Sequence, residues 1–208
     1  MSTYVVAVTG ASGVAYAARL LNVMSSLDHQ IRLIISRAGE EVIFQELGLR
    51  LEDDVDHKRR QLMAAWASHA SESQLELFAP DNLTAPIASG SFPTQGMVVI
   101  PCSMGTLARI ATGSSTNLIE RAADVMLKER RPLILVPRET PLSDIHLSNM
   151  LSCLRAGAEI MPAMPGFYHH PEVIQDLVDF VVGRVLDRLG IGHDLFQRWG
   201  APVPAYEE

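Results

Sequence analysis

The chain has 208 residues, 48% of them apolar and 20% charged, with a net charge of −7. That length suits one globular domain with a sizeable core, and the acidic balance excludes a general nucleic-acid surface. No apolar run approaches the roughly 18 residues that span a bilayer, and MSTYVVAVTG at the N-terminus lacks the basic region and cleavage site of a signal peptide. A cytoplasmic protein with no membrane contact is expected. Cys102 and Cys153 form neither a disulfide framework nor a zinc site.

In chain order, residues 4–9 read as a short buried strand, 10–13 as a turn, and 16–27 as a helix with Ala17, Leu20, Leu21 and Met24 on one face. A second strand at 31–35 and a helix over 38–47 follow. The polar stretch 50–73 holds one surface helix near 58–68, then a strand at 75–78. After a loop of small residues, 79–95, come a strand at 97–101, a helix at 118–130, a strand at 132–136, a helix at 142–155 and a periodic amphipathic helix at 171–189. This order predicts an α/β fold, a single doubly wound parallel sheet with right-handed crossovers. The tail 190–208 has no clear pattern, and nothing marks a second domain. Ligands of such sheets bind at the carboxyl ends of the strands, so the informative residues there are expected to converge in one crevice.

Those ends carry the motifs. V-T-G-A-S-G (8–13) can bring backbone N–H groups to a phosphate at a helix N-terminus. It has only Gly10 and Gly13 of a dinucleotide fingerprint, and Ser36-Arg37 stands where a ribose-binding acid belongs. That disfavours a standard NAD site and leaves an NADP site, or a turn without a ligand, as alternatives. In P-C-S-M-G-T-L (101–107), Ser103 suits a helix N-cap and Cys102 a small buried hydrophobe. Arg121 and Lys128, seven apart, share a helix face, and with Arg138 they suit a phosphate. Arg130 and Arg131 read as a solvated face with Glu–Arg pairs. P-R-E-T-P-L (137–142) presents Arg138 and Glu139 on a rigid loop, and P-G-F-Y-H-H-P (165–171) presents Tyr168. The adjacent His169 and His170 diverge and lack a third ligand at the usual spacing, so no metal site is expected.

G-A-S-G (10–13), S-G-S-F (89–92), G-M-V-V-I-P-C-S-M-G-T-L (96–107), R-A-A-D-V-M-L-K-E-R-R-P-L (121–133), P-R-E-T-P-L, H-L-S-N-M (146–150) and P-G-F-Y-H-H-P together closely resemble the UbiX-type flavin prenyltransferases, over nearly the whole chain to R-W-G (198–200). The resemblance implies a flavodoxin-like or Rossmann-like fold in a dodecamer. It implies transfer of dimethylallyl from dimethylallyl monophosphate to N5 and C6 of reduced FMN without a metal, with prenylated FMN passing to a UbiD-type decarboxylase. Gly10, Ala11, Ser12, Ser36, Ser89, Ser103, Met104, Gly105, Thr106 and Arg138 would hold FMN. Arg121, Lys128, Tyr168 and Arg184 would grip the prenyl phosphate, with Lys128 also counted as catalytic. Ser12 and Glu46 would handle the N5 proton, Glu139 would sit by the departing phosphate, and Trp199 belongs to a tail, 190–208, that closes over the site. At Asn82–Ala85 the chain lacks the aromatic residue that some members carry.

The residues suit that chemistry independently. A monophosphate leaves poorly without charge neutralisation, and two arginines, a lysine and a tyrosine can provide it where no aspartate-rich metal motif is present. The rival readings are an FMN-dependent decarboxylase and a non-enzymatic flavin carrier. For a cysteine decarboxylase a histidine would be expected after the second helix, where this chain offers Glu46.

Overall fold

A computed structural model describes residues 2–27 and 29–200. The strands are β1 Thr3–Val8, β2 Gln30–Ile35, β3 Leu75–Phe78, β4 Gly96–Cys102, β5 Leu133–Pro137 and β6 Glu159–Ile160. They form one sheet in the order β3-β2-β1-β4-β5-β6, every neighbouring pair parallel. The chain builds outward from β1 to β3, then returns to lay β4 on the other side of β1. That reversal is the switch point at which such sheets open a crevice. The expected doubly wound sheet is therefore the one that forms. β6 escapes a reading by pattern because two half-buried residues carry no periodicity.

Among the described residues, seven α-helices cover the two faces: α1 Val14–Ser26, α2 Arg37–Leu47, α3 Val55–Trp66, α4 Met104–Ala111, α5 Leu118–Lys128, α6 Asp144–Ala156 and α7 Ile174–Leu189. Alternation along β1 divides the core. Val6 and Val8 face α1, α3 and α7, where Leu20, Leu21, Leu62, Val182 and Leu186 pack. Val5 and Ala7 face α4, α5 and α6, where Leu107, Ile119, Met126 and Cys153 pack. Strands covered on both sides read as unbroken apolar runs, which is why VVAV and GMVVIPC were legible. Cys102 and Cys153 lie in the second core. Burial raises both thiol pKa values, that of Cys153 to about 11, so they behave as small hydrophobes.

Side-chain caps set the helix starts. Ser36, Asp54, Ser103, Asn117 and Ser143 each accept the backbone N–H three residues on. Asp54 starts α3 three residues earlier than the pattern suggests. Asp176 accepts from the N–H groups of Glu172 (2.8 Å) and Val173 (3.1 Å), and α7 begins at Ile174 rather than at the expected Pro171. The reading of Arg131 as part of a solvated face is corrected. Its guanidinium donates to the carbonyls of Gly90 and Phe92, each at 2.7 Å, and staples the loop before β4. Apolar side chains are left exposed mainly on α6, at Ile145, Leu147, Leu151 and Leu154. α7 spends its apolar face on its own core, except at Ile174.

Glu120 is the most deeply buried charge of this half. Its carboxylate accepts from Arg109 Nε, from the Thr116 N–H (2.9 Å) and hydroxyl (2.6 Å), and from Asn117 Nδ2 (2.7 Å). Burial pushes its pKa up, but the bonds from Thr116 and Arg109 outweigh that and hold it below the usual glutamate range. A lowered folded value contributes stability that is present above the unfolded pKa of about 4.3 and is lost as pH falls through the folded value. Glu120→Gln is expected to lose about 1–3 kcal/mol of stability near neutral pH. Denaturant midpoints from pH 7 to pH 3 should show the gap to the parent protein closing in acid.

Candidate active site

Three helix N-termini meet at the carboxyl edge of the sheet, where β1, β2 and β4 run into α1, α2 and α4. The Ser36 hydroxyl accepts from the Gly39 N–H at 3.0 Å. The Ser103 N–H donates to Thr9 Oγ1 at 2.7 Å, and the Thr9 hydroxyl donates to the Pro101 carbonyl at 2.8 Å, which ties the β1 and β4 turns together. The Ser103 hydroxyl donates to Thr106 Oγ1 at 3.1 Å, and Arg109 Nη2 approaches that oxygen at 3.3 Å. Met104 is buried beside them, whereas Gly105 leaves the start of α4 open. Gly10 answers a close approach, since a Cβ there would lie 2.5 Å from the Ala38 Cβ on α2. Ala11 and Ser12 complete the turn, the first buried and the second exposed.

Glu46 occupies the middle of this edge. Its carboxylate accepts from the N–H of Gly13 (3.0 and 3.1 Å) and of Val14 (2.9 Å). Gly13, the N-cap of α1, has no side chain with which to cap it, so α2 supplies the cap from its last turn. Glu46 is solvent-exposed as a residue, yet its charge is committed to the positive end of α1. On the other side of the turn, Arg138 Nε donates to the Ser12 carbonyl at 3.3 Å. The loop after β5 carries Arg138 and Glu139 along a cavity of about 510 Å³, lined also by Leu142, Met150 and Met164.

The remaining candidates divide between the two faces. α5 runs antiparallel to the strands, from the Leu118 N–H on the Pro80 carbonyl (2.7 Å) down to Lys128, just before β5. Arg121 donates to the Ala88 carbonyl and to Asp124, each at 3.0 Å, and Lys128 Nζ lies 2.6 Å from Glu129. Seven residues separate the two cations by about 10 Å along the helix. Ser89, in the loop they flank, shares a 2.9 Å hydrogen bond with Ser91, and Leu83 earlier in the loop is exposed. Across the sheet, Tyr168 meets Trp199 edge-on at 5.1 Å and Phe180 at 5.7 Å. Arg184, on α7, donates to Asp187 at 3.0 Å.

One crevice does not collect all of these residues. Gly10–Ser12, Ser36, Glu46, Ser103–Thr106 and Arg138 come together at the carboxyl edge. Arg121 and Lys128 ride a helix packed in one core, and Arg184 a helix packed in the other. The sequence reading passed over Asp187 and Glu120 and misplaced Arg131. Asn117-x-x-Glu120 was visible as a capping pattern, but the partners of Arg131 lie up to 41 residues away. Among the described residues, no group of three or more His, Cys, Asp or Glu is placed to hold a metal.

A family model described as Flavoprotein matches residues 2–186. A protein of Halalkalibacterium halodurans named flavin prenyltransferase UbiX is 50% identical over 197 residues, covering 95% of this chain and 93% of its own. The Pseudomonas aeruginosa protein of the same name is 48% identical, covering 93% and 92%. Among solved structures, AnUbiX in complex with FMN and dimethylallyl pyrophosphate superposes with a TM-score of 0.86 at 40% identity, covering 97% of this chain and 99% of its own. A structure described as a dodecameric FMN-dependent UbiX-like decarboxylase from Escherichia coli O157:H7 gives 0.84 at 41% identity, covering 96% and 100%. The cypemycin decarboxylase, at 14% identity and a TM-score of 0.57, shares the fold alone.

Glu46→Ala leaves the first N–H groups of α1 without their acceptor. It is expected to cost about 1 kcal/mol, and Glu46→Gln less, since the amide oxygen still accepts. Thermal melts of the two variants beside the parent protein check this order.

Proposed function

The chain belongs to the UbiX-type flavin prenyltransferases within the flavoprotein family, and from that membership we propose that it joins a dimethylallyl group to reduced FMN. The observation that carries the reading is the gathering of three helix N-termini, Glu46 and Arg138 around one edge of the sheet. Helix starts and an arginine suit a flavin phosphate, and the exposed Gly105 sets no side chain against a flat ring. The residues present therefore fit FMN. Gly10, Ala11, Ser12, Ser36, Ser103, Met104, Gly105, Thr106 and Arg138 would hold it, with Ser89 beside it.

When bound, reduced FMN supplies the nucleophilic N5 and C6 atoms. Glu46, held against the first N–H groups of α1, and the hydroxyl of Ser12 in the same turn would take up the N5 proton. Arg121, Lys128, Tyr168 and Arg184 would neutralise the leaving phosphate, with Glu139 beside it. α5 and α7 cover opposite faces of the sheet. A single phosphate is then gripped by Arg121 and Lys128 of one chain and by Tyr168 and Arg184 of a neighbour. The apolar face of α6 supports such an assembly, and a dodecamer like the E. coli neighbour is its proposed form. The donor is dimethylallyl monophosphate, the recipient of prenylated FMN a UbiD-type decarboxylase, and the setting cytoplasmic. Among the described residues, no helix is long and apolar enough to cross a membrane.

The description of the E. coli neighbour as a decarboxylase motivates a second reading, and one assay separates the two. The chain, reduced FMN and dimethylallyl monophosphate are expected to give a flavin heavier by one five-carbon unit in mass spectrometry. Loss of carbon dioxide from an aromatic acid by the chain alone, with the flavin unchanged, would overturn the prenyltransferase reading. Glu46→Gln is expected to bind FMN and to prenylate about 10²–10⁴-fold more slowly, the usual contribution of an acid–base group. Unchanged turnover would remove Glu46 from the chemistry. Light scattering at micromolar concentration should give a mass many times that of one chain, and a monomer would contradict the shared site.

A further inference from the structure

The segment that follows α7 is fastened to that helix by one carboxylate. Asp187 Oδ2 accepts from Arg184 Nη1 at 3.0 Å and from Arg198 Nη1 at 3.2 Å. Its Oδ1 accepts from Arg198 Nη2 at 2.7 Å and lies 3.2 Å from His193 Nε2. The Asp187 side chain is 19% exposed and that of His193 only 2%. α7 is also shaped to receive the segment. A Cβ on Gly183 would fall 2.5 Å from the Phe196 ring and 2.6 Å from that of His193, so only glycine lets these rings lie on the helix. Phe196 packs on Phe180 at 5.0 Å, Phe180 on Tyr168, and Tyr168 on Trp199. The segment thus reaches Tyr168 by ring contacts and Arg184 through Asp187.

We propose that Asp187 is a positioning residue that couples Arg184 to residues 193–199, so that binding of the donor phosphate and docking of this segment strengthen each other. The proposal rests on the reading that Arg184 and Tyr168 grip the donor. Two guanidinium groups share Oδ2, where they compete and repel. A phosphate that draws Arg184 away leaves Oδ2 to Arg198 alone, and the two-nitrogen grip that Arg198 already has on the carboxylate tightens. Linkage requires the reverse as well: whatever firmer docking gains, donor binding gains equally. An exposed ion pair alone would contribute little, but this one is half sheltered and backed by the seat at Gly183.

Trypsin reads the anchor directly, because it cuts after Arg198 and needs the side chain that Asp187 holds. On the full protein, Asp187→Asn is expected to speed cleavage at Arg198 about tenfold, the effect of losing a charge-assisted hydrogen bond. Dimethylallyl monophosphate should slow that cut in the parent protein and have a much weaker effect in Asp187→Asn. The donor KM should rise about tenfold in the variant while FMN affinity stays unchanged. Gly183→Ala, which leaves Asp187 in place but removes the seat, should also speed the cut. Cleavage of Asp187→Asn at the parent rate would overturn the anchor, as would slow cleavage of a folded Gly183→Ala. An equal donor effect in the parent and Asp187→Asn, or none in either, would overturn the coupling. If the parent protein fails to prenylate flavin while the cleavage pattern holds, the prenyltransferase reading falls and the anchor stands.

Discussion

The all-parallel sheet is the constraint on which the rest depends. Parallel neighbours need crossovers, crossovers place helices on both faces, and every strand then enters its helix at the same edge. The switch between β1 and β4 leaves α1, α2 and α4 with their N-termini at that edge. Their partial positive charge is a property of the topology, and side chains only modify it. The same constraint puts α5 and α7 on opposite faces. Lys128 and Arg184 therefore ride helices packed in different cores, which is why the proposed phosphate grip draws on neighbouring chains.

Carboxylates do much of the modification, each at the end of a helix or beside one. Glu46 caps α1 from the end of α2, Glu120 ties Arg109 on α4 to the start of α5, and Asp187 ties residues beyond α7 back to it. Glu46 and Glu120 are met in part by backbone N–H groups that the helix starts have already ordered, so little side-chain entropy is lost in those contacts. The Glu46 carboxylate is held by the N–H groups of Gly13 and Val14 before any flavin arrives.

The local part of this organisation was legible in the sequence. The buried strands, the β3 limits, the Gly10 turn and the Ser103 cap all rest on short-range pattern or stereochemistry. The family motifs pointed to residues that the fold places together at one edge. What escaped was long-range. The bond between Glu46 and Gly13 spans 33 residues, and those from Arg131 to the loop span up to 41. Arg184 and Asp187 are three apart on α7, but Arg198 returns to them only because a glycine makes room, which no pattern announces. The strand-end residues do meet at one edge, whereas Arg121, Lys128 and Arg184 lie away from it for a related reason. Spacing along α5 shows which face Arg121 and Lys128 share, and the winding decides which side of the sheet that face covers.

The shared site is tested most directly by mixing two inactive chains. Lys128→Ala and Arg184→Ala should each prenylate flavin poorly alone. Co-expressed and assembled at random, they should regain activity, with about one site in four drawing intact groups from both neighbours. A mixture no more active than either variant alone would show that each site is built within one chain, and would contradict the account.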